Sequence, residues 1–231
     1  MPKNSAKAPV ITVDGPSGSG KGTISQRIAK ELKWHFLDSG VLYRVLALGA
    51  QLHHIDEKNE PALAKLASHL DVQFIGQSVF FEGTDVTNQI RSEACGNLAS
   101  IVSAYKTVRA GLIDRQRAFR ESPGLVTDGR DMGTVIFPDA EFKVFLDASL
   151  EARAKRRFLQ LQEKGINDSL ERVLAELALR DKRDRDRVVA PLKPADDAWV
   201  LDTTLLSIEE TFSHVMDEIQ KRFCMSEVAK H

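Results

Sequence analysis

Near the start of the chain, Gly15-Pro16-Ser17-Gly18-Ser19-Gly20-Lys21-Gly22-Thr23 combines a permissive backbone with one terminal amine. Glycines let successive backbone N–H groups curl around phosphate oxygens, and Lys21 can reach a phosphoryl group in transit. The order G-x-x-x-x-G-K is that of a P-loop, which needs a strand before it and a helix after it. One position departs from the pattern. Gly22 follows the lysine where Ser or Thr ordinarily binds Mg²⁺, and Thr23 comes one place later. The metal is therefore expected to be held differently, and no residue is assigned as a direct ligand. A second set of chemistry-bearing residues is Arg44, Arg130, Arg153, Arg156, Arg157, Arg180 and Arg187. Moving a phosphoryl group between two anions calls for several guanidinium groups, because both substrates are negative and charge spreads over the equatorial oxygens. The alternating charges from Arg180 to Arg187 also fit a solvated helix face, and both readings stand at this point.

The elements that must position these residues follow from periodicity. Residues 9–14 read as a short buried strand, and Ile24, Ile28 and Leu32 mark a helix from Gly22 onward, so the glycine-rich loop has the required context. A strand at 34–38 leads into a helix at 41–52, with another helix at 63–70. Apolar residues crowding around Gly76 and Gly83 suggest a small β insertion at 72–75 and 79–82. Helical spacing returns over 93–120, as one helix or as two broken in the middle, until Ser122-Pro123-Gly124 stops it. Strands at 124–128 and 142–147, each an apolar run closed by aspartate, suit a parallel sheet buried on both faces. Charged helices at 151–164 and 170–187, a strand at 199–202 and a helix opened by a Ser207/Glu210 capping box complete the chain. The alternation predicts an α/β fold with an open parallel sheet, whose ligands lie beyond the strand carboxyl ends. Gly15, Asp38, Asp128 and Asp147 all fall at such ends.

Composition narrows the function. At 231 residues the chain suits one α/β core with insertions. With 32 basic and 33 acidic residues, net charge −1, it is not built as a general polyanion binder, so no nucleic-acid partner is expected. No apolar run approaches the roughly 18 residues of a membrane span, and the first nine residues, with Lys3 and Lys7, lack a signal-peptide core. A cytoplasmic protein, most simply a monomer, is the expectation. Cys95 and Cys224 match no metal-ligand spacing and read as free thiols. The six histidines show no paired spacing. Absence of an Asn-Lys-x-Asp segment argues against a GTPase, which leaves a small-molecule kinase. A kinase for UMP, AMP or a small metabolite, and a non-catalytic nucleotide switch, remain as alternatives.

The G-P-S-G-S-G-K-G-T loop, Asp38-Ser39-Gly40 with Tyr43-Arg44, Asp128-Gly129-Arg130-Asp131-Met132-Gly133-Thr134 and the Arg180 to Arg187 run together resemble the bacterial cytidylate kinases over nearly the whole chain. The D-G-R-D-x-G-T segment is the narrowest of these motifs. The resemblance implies a P-loop NTPase fold with an adenylate-kinase-like parallel five-stranded sheet flanked by helices. It implies a core of residues 1–40, 106–152 and 188–231, a nucleoside-monophosphate lobe at 41–105 with an insertion near 72–92, and a lid with its adjoining helix at 153–187. The implied reaction is transfer of the γ-phosphoryl group of Mg²⁺-ATP to CMP, and to dCMP, by direct in-line attack. Lys21, Arg130, Arg153 and Arg157 would be catalytic, with the lid arginines over ATP. Ser39, Arg44 and Arg130 would meet the acceptor phosphate, and Tyr43 and Asp128 would belong to the acceptor site. Ser100, Arg109, Asp131 and Arg187 would surround cytosine, and Arg180 and Asp184 would approach the ribose. The chemistry agrees, since an acceptor such as Asp131 facing the N4 amine would be left unpaired by uracil. Read without the resemblance, Asp38 and Asp128 also suit turn caps, Ser100 and Arg109 an ordinary helix surface, and Tyr43 a core aromatic.

Overall fold

Val10, Ile11, Thr12, Val13 and Asp14 are buried at every position, as a strand covered on both faces requires, and they form β1 (Val10–Asp14). The glycine-rich loop joins β1 to α1 (Lys21–Leu32), which Lys33 closes in a left-handed conformation with its N–H on the Ala29 and Lys30 carbonyls. β2 (His35–Asp38) runs straight into α2 (Ser39–Leu52), where the Asp38 carboxylate caps the first turn by accepting Gly40 N–H at 2.9 Å. α3 (Glu60–Ser68) begins three residues before the expected start, because Asn59 caps it and Pro61 sits in its first turn. The insertion is a three-stranded antiparallel sheet of β3 (Val72–Ile75), β4 (Ser78–Phe81) and β5 (Thr84–Asp85).

The helical stretch expected over 93–120 is two helices, α4 (Glu93–Val102) and α5 (Lys106–Ala118). β6 (Leu125–Gly129) follows, one residue later than expected, and a π-helical turn at Met132–Ile136 leads to β7 (Phe142–Asp147). The charged region forms α6 (Leu150–Glu163) and α7 (Leu170–Arg185), ahead of β8 (Trp199–Asp202) and α8 (Ile208–Val228). The expected capping box opens α8: Ser207 N–H donates to Glu210 Oε2 at 2.8 Å and Glu210 N–H donates to Ser207 Oγ at 3.1 Å. This computed structural model describes residues 7–228, apart from residues 77 and 164. Lys3, Lys164 and the side chain of Cys224 lie outside the described residues.

The main sheet has the order β2-β6-β1-β7-β8, and every pair in it is parallel. The chain leaves β1 for one edge and later builds the other, so strand order reverses around β1, where an α/β sheet opens a crevice for ligand. Register brings the carboxyl ends together, with Asp38 opposite Asp128 and Asp14 opposite Gly129. One face of the sheet packs against α1 and α8 through Ile24, Ile28, Val215 and Ile219. The other face packs into a larger core from α2, α3, α4, α5 and the insertion, where Gly49 leaves room for Phe81: a Cβ there would lie 2.8 Å from its Cζ. α6 and α7 close a small cluster of their own, Ala154, Leu161, Val173 and Leu177.

Candidate active site

Gly15 opens the glycine-rich loop, and a Cβ there would lie 2.1 Å from the Leu146 carbonyl oxygen, so only glycine lets β1 end beside β7. Gly18 and Gly20 hold φ of +80° and +90°, the left-handed region that turns the backbone inward. α1 begins at Lys21 with neither a side-chain cap nor an acidic residue in its first turn, so its positive end is left for an anion. Lys21 bends back over the loop and donates from Nζ to the Pro16 carbonyl at 3.2 Å.

Beside the loop lies a cleft of about 230 Å³. Every residue expected around the acceptor nucleotide lines it: Ser39, Tyr43 and Arg44 from α2, Ser100 from α4, Arg109 from α5, Asp128, Arg130 and Asp131 from β6 and the segment after it, Arg180 and Asp184 from α7, and Arg187 just beyond. Ser17, Lys21 and Gly22 form its wall on the loop side. A second cleft of about 120 Å³ lies against Ser17 and Gly18, with Arg44, Arg157 and Arg180 around it.

At one end of the larger cleft Arg109 forms a buried ion pair with Asp131, donates to the Ser103 carbonyl at 3.0 Å and lies over the Tyr43 ring at 5.5 Å. Burial and Asp131 push the Tyr43 hydroxyl up to about 12, so it stays neutral. Asp184 gathers three donors: Arg130 Nε at 2.8 Å, Ser100 Oγ at 3.3 Å and Arg187. Burial raises its carboxyl, but the guanidinium groups of Arg130, Arg187 and Arg180 outweigh that and hold it at about 2. Toward the loop the balance reverses. Burial, then Arg130, bring Lys21 down to about 7, and the same two causes bring Arg180 down to about 9. The Nε atoms of Arg180 and Arg187 are buried without a partner among the described residues. Cations left under-neutralised around a cleft leave room for an anion to supply the missing partners. Asp128 carries the opposite signature: burial and nearby Asp38 push its carboxyl up, and its Oδ1 has no partner among the described residues.

The cytidylate kinase family model matches residues 11–221. The chain belongs to the cytidylate kinase family. It is 56% identical over 225 residues to the cytidylate kinase of Shigella sonnei, covering 96% of this chain and 99% of that one. It is 59% identical over 215 residues to the cytidylate kinase of Serratia proteamaculans, covering 91% and 94%. Among solved structures, an uncharacterized protein of Eubacterium ventriosum shares the fold alone, with a TM-score of 0.50 and 11% identity over 93% of this chain and 99% of that one.

In this member of the cytidylate kinase family the arginines of α6 divide. Arg157 lines the second cleft and pairs with Glu93 at 2.6 Å. Arg153 lines neither cleft: 3% exposed, it donates to the Ala148 carbonyl at 2.9 Å and the Ser17 carbonyl at 3.0 Å and pairs with Asp181. Its spacing gave no sign that it braces the loop from behind. Arg44 reaches the Ile90 carbonyl at 2.7 Å, and Ser39 donates to the Asp128 carbonyl at 2.8 Å. Gly15, Pro16, Ser19, Gly20 and Thr23 shape or flank the loop without lining either cleft, and Thr23 is exposed. Sequence reasoning missed Ser103, whose Oγ accepts from Arg187 at 2.8 Å. Its position three residues after Ser100, one helical turn on, was the available signal.

Proposed function

We propose that the larger cleft receives the acceptor nucleotide, its base against Arg109, Asp131, Ser100 and Arg187, its ribose by Asp184 and Arg180, and its phosphate by Ser39, Arg44 and Arg130. The loop and Lys21 hold the phosphates of ATP, and Arg157 approaches them from the lid side. The reaction is ATP-dependent phosphorylation of CMP to CDP. dCMP is included in our reading as a second acceptor. The observation that carries the site assignment is the set of half-buried, incompletely neutralised cations, Lys21, Arg180 and Arg187, around one cleft whose far end holds a fixed carboxylate.

The acceptor phosphate oxygen is already anionic, so no general base is needed and catalysis reduces to positioning and charge compensation. Arg130 lies between the two roles: it is fixed by Asp184 at 2.8 Å and is close enough to Lys21 to depress its basicity. It can therefore face both the acceptor phosphate and the group being transferred. Mg²⁺ fits the carboxylates beside the loop. Asp128 is buried with an oxygen unpartnered among the described residues, Gly22 faces it so closely that a Cβ there would lie 3.9 Å from its Oδ2, and Asp38 ends the neighbouring strand. Asp128 and Asp38 would hold the ion, which when bound shields the negative charge of the donor phosphates. We read α6 and α7 as a lid, supported by their separate apolar cluster. A monomer acting in the cytoplasm on diffusing nucleotides completes the proposal; near-balanced charge and the buried free thiol of Cys95 support it, and among the described residues no helix is long and apolar enough to cross a membrane.

Base selection supplies the test. With one Asp131 oxygen engaged by Arg109, the carboxylate's other oxygen can accept from cytosine N4, whereas uracil presents a carbonyl there. Leaving that acceptor unpaired disfavours UMP by about 10²-fold. Product formation from Mg²⁺-ATP with CMP, dCMP, UMP and AMP, compared between wild type and Asp131→Ala, should show CMP losing far more than UMP. Equal losses for both pyrimidines would remove Asp131 from base reading.

A further inference from the structure

The Asp14 carboxylate lines neither cleft, yet it is buried and accepts two backbone N–H groups, Met132 at 2.9 Å on Oδ1 and Gly133 at 2.8 Å on Oδ2. Its own backbone runs directly into Gly15, the first residue of the glycine-rich loop, while Met132 and Gly133 directly follow Arg130 and Asp131. One side chain therefore joins the start of the donor-phosphate loop to the segment that faces the acceptor. Neither side of this joint has slack. A Cβ on Gly15 would lie 2.1 Å from the Leu146 carbonyl oxygen. On the acceptor side, a Cβ on Gly129 would lie 2.5 Å from Ser39 Oγ, and one on Gly133 would lie 2.8 Å from Thr12 Oγ1. Packing this close transmits a displacement instead of absorbing it.

We propose that Asp14 is a positioning residue that fixes the separation between the ATP phosphates and the acceptor phosphate by tying the glycine-rich loop to the Arg130–Asp131 segment. A carboxylate suits the task because both oxygens accept, so both amides are held at once; an asparagine can satisfy one of them and turns an N–H₂ group toward the other. In-line transfer depends steeply on the distance between reacting groups, while each nucleotide's own contacts survive a small shift of one loop against the other. Loss of the tie therefore slows turnover without matching losses in binding.

The inference rests on the substrate placement proposed above, and the experiment separates the two. Asp14→Asn should lower kcat about 10- to 100-fold, with dissociation constants for ATP and CMP changed less than about threefold. Turnover within about twofold of wild type, or binding of both nucleotides weakened as much as turnover, would overturn the positioning role. Amide hydrogen exchange on the wild-type enzyme covers the case in which the variant does not fold. ATP alone should slow exchange at Met132 and Gly133 as well as in the loop of residues 15–23. Protection confined to the loop would overturn the coupling; no protection of the loop would overturn the placement of ATP itself.

Discussion

An amine enclosed among guanidinium groups holds its proton only weakly until an anion arrives. Burial and Arg130 bring Lys21 to about 7 against the pull of Asp128 and Asp38, so near pH 8 the empty cleft contains mostly neutral amine. A bound phosphate favours the charged form and raises that value, which makes binding take up a proton and weakens affinity as pH rises through about 7. Calorimetry of ATP binding at pH 8 without Mg²⁺, repeated in buffers of different ionisation enthalpy, should report uptake approaching about one proton. Buffer-independent heats would show that Lys21 is already charged. Lys21→Met should remove both the uptake and most of the turnover while leaving thermal unfolding close to wild type. Asp184 makes no competing contribution in this range, because it is held at about 2 and stays ionised throughout.

Among the elements, α6 supports the donor loop through Arg153, whose ion pair with Asp181 also ties α6 to α7. The Asp181 side chain is 13% exposed, so part of the burial penalty is relieved by water. We expect Arg153→Met to cost about 2–3 kcal/mol in denaturant unfolding and to raise the KM for ATP. A cost below about 0.5 kcal/mol would mean that the brace contributes little. That brace illustrates the limit of sequence reading: the spacing located an arginine on a helix, but only the fold shows that it points behind the loop. β1, β6 and β7 were legible because strands buried on both faces are mostly apolar, and the start of α8 was legible because its cap is local. The π-helical turn at Met132–Ile136 was not, since the carboxylate that holds its first amides lies 118 residues away from Met132. The break between α4 and α5 was equally hard to place, because neither glycine nor proline marks it. Asn59 before Pro61 did mark the start of α3, and periodicity alone overlooked it. The cleft-lining residues Ser39, Arg44, Asp128, Arg130 and Asp131 were legible as motifs, and the sheet register supplies the reason that Asp38 and Asp128 converge.

At the scale of the whole molecule, α6 and α7 enclose their own apolar cluster, whereas α2 to α5 share one core with the sheet. The lid proposed above thus meets the acceptor side largely through polar contacts, Arg157 with Glu93 at 2.6 Å and Arg183 with the Asn97 carbonyl at 3.4 Å. The first pair is partly exposed, 27% and 44%, so either partner should be removable for less than about 1 kcal/mol of stability. Kinetics should separate the two changes: with Arg157 placed toward the ATP phosphates as proposed above, Arg157→Ala should reduce turnover at least about tenfold, and Glu93→Ala should leave turnover nearly intact. Equal turnover in both variants would reduce Arg157 to a tie between lobes. Trp34 and Trp199, the only two tryptophans in the chain, both pack on the α1 and α8 side of the sheet, and neither lines either cleft. The enzyme's tryptophan emission is therefore a gauge of that layer alone, so empty and nucleotide-loaded enzyme can be melted and compared on a single optical baseline.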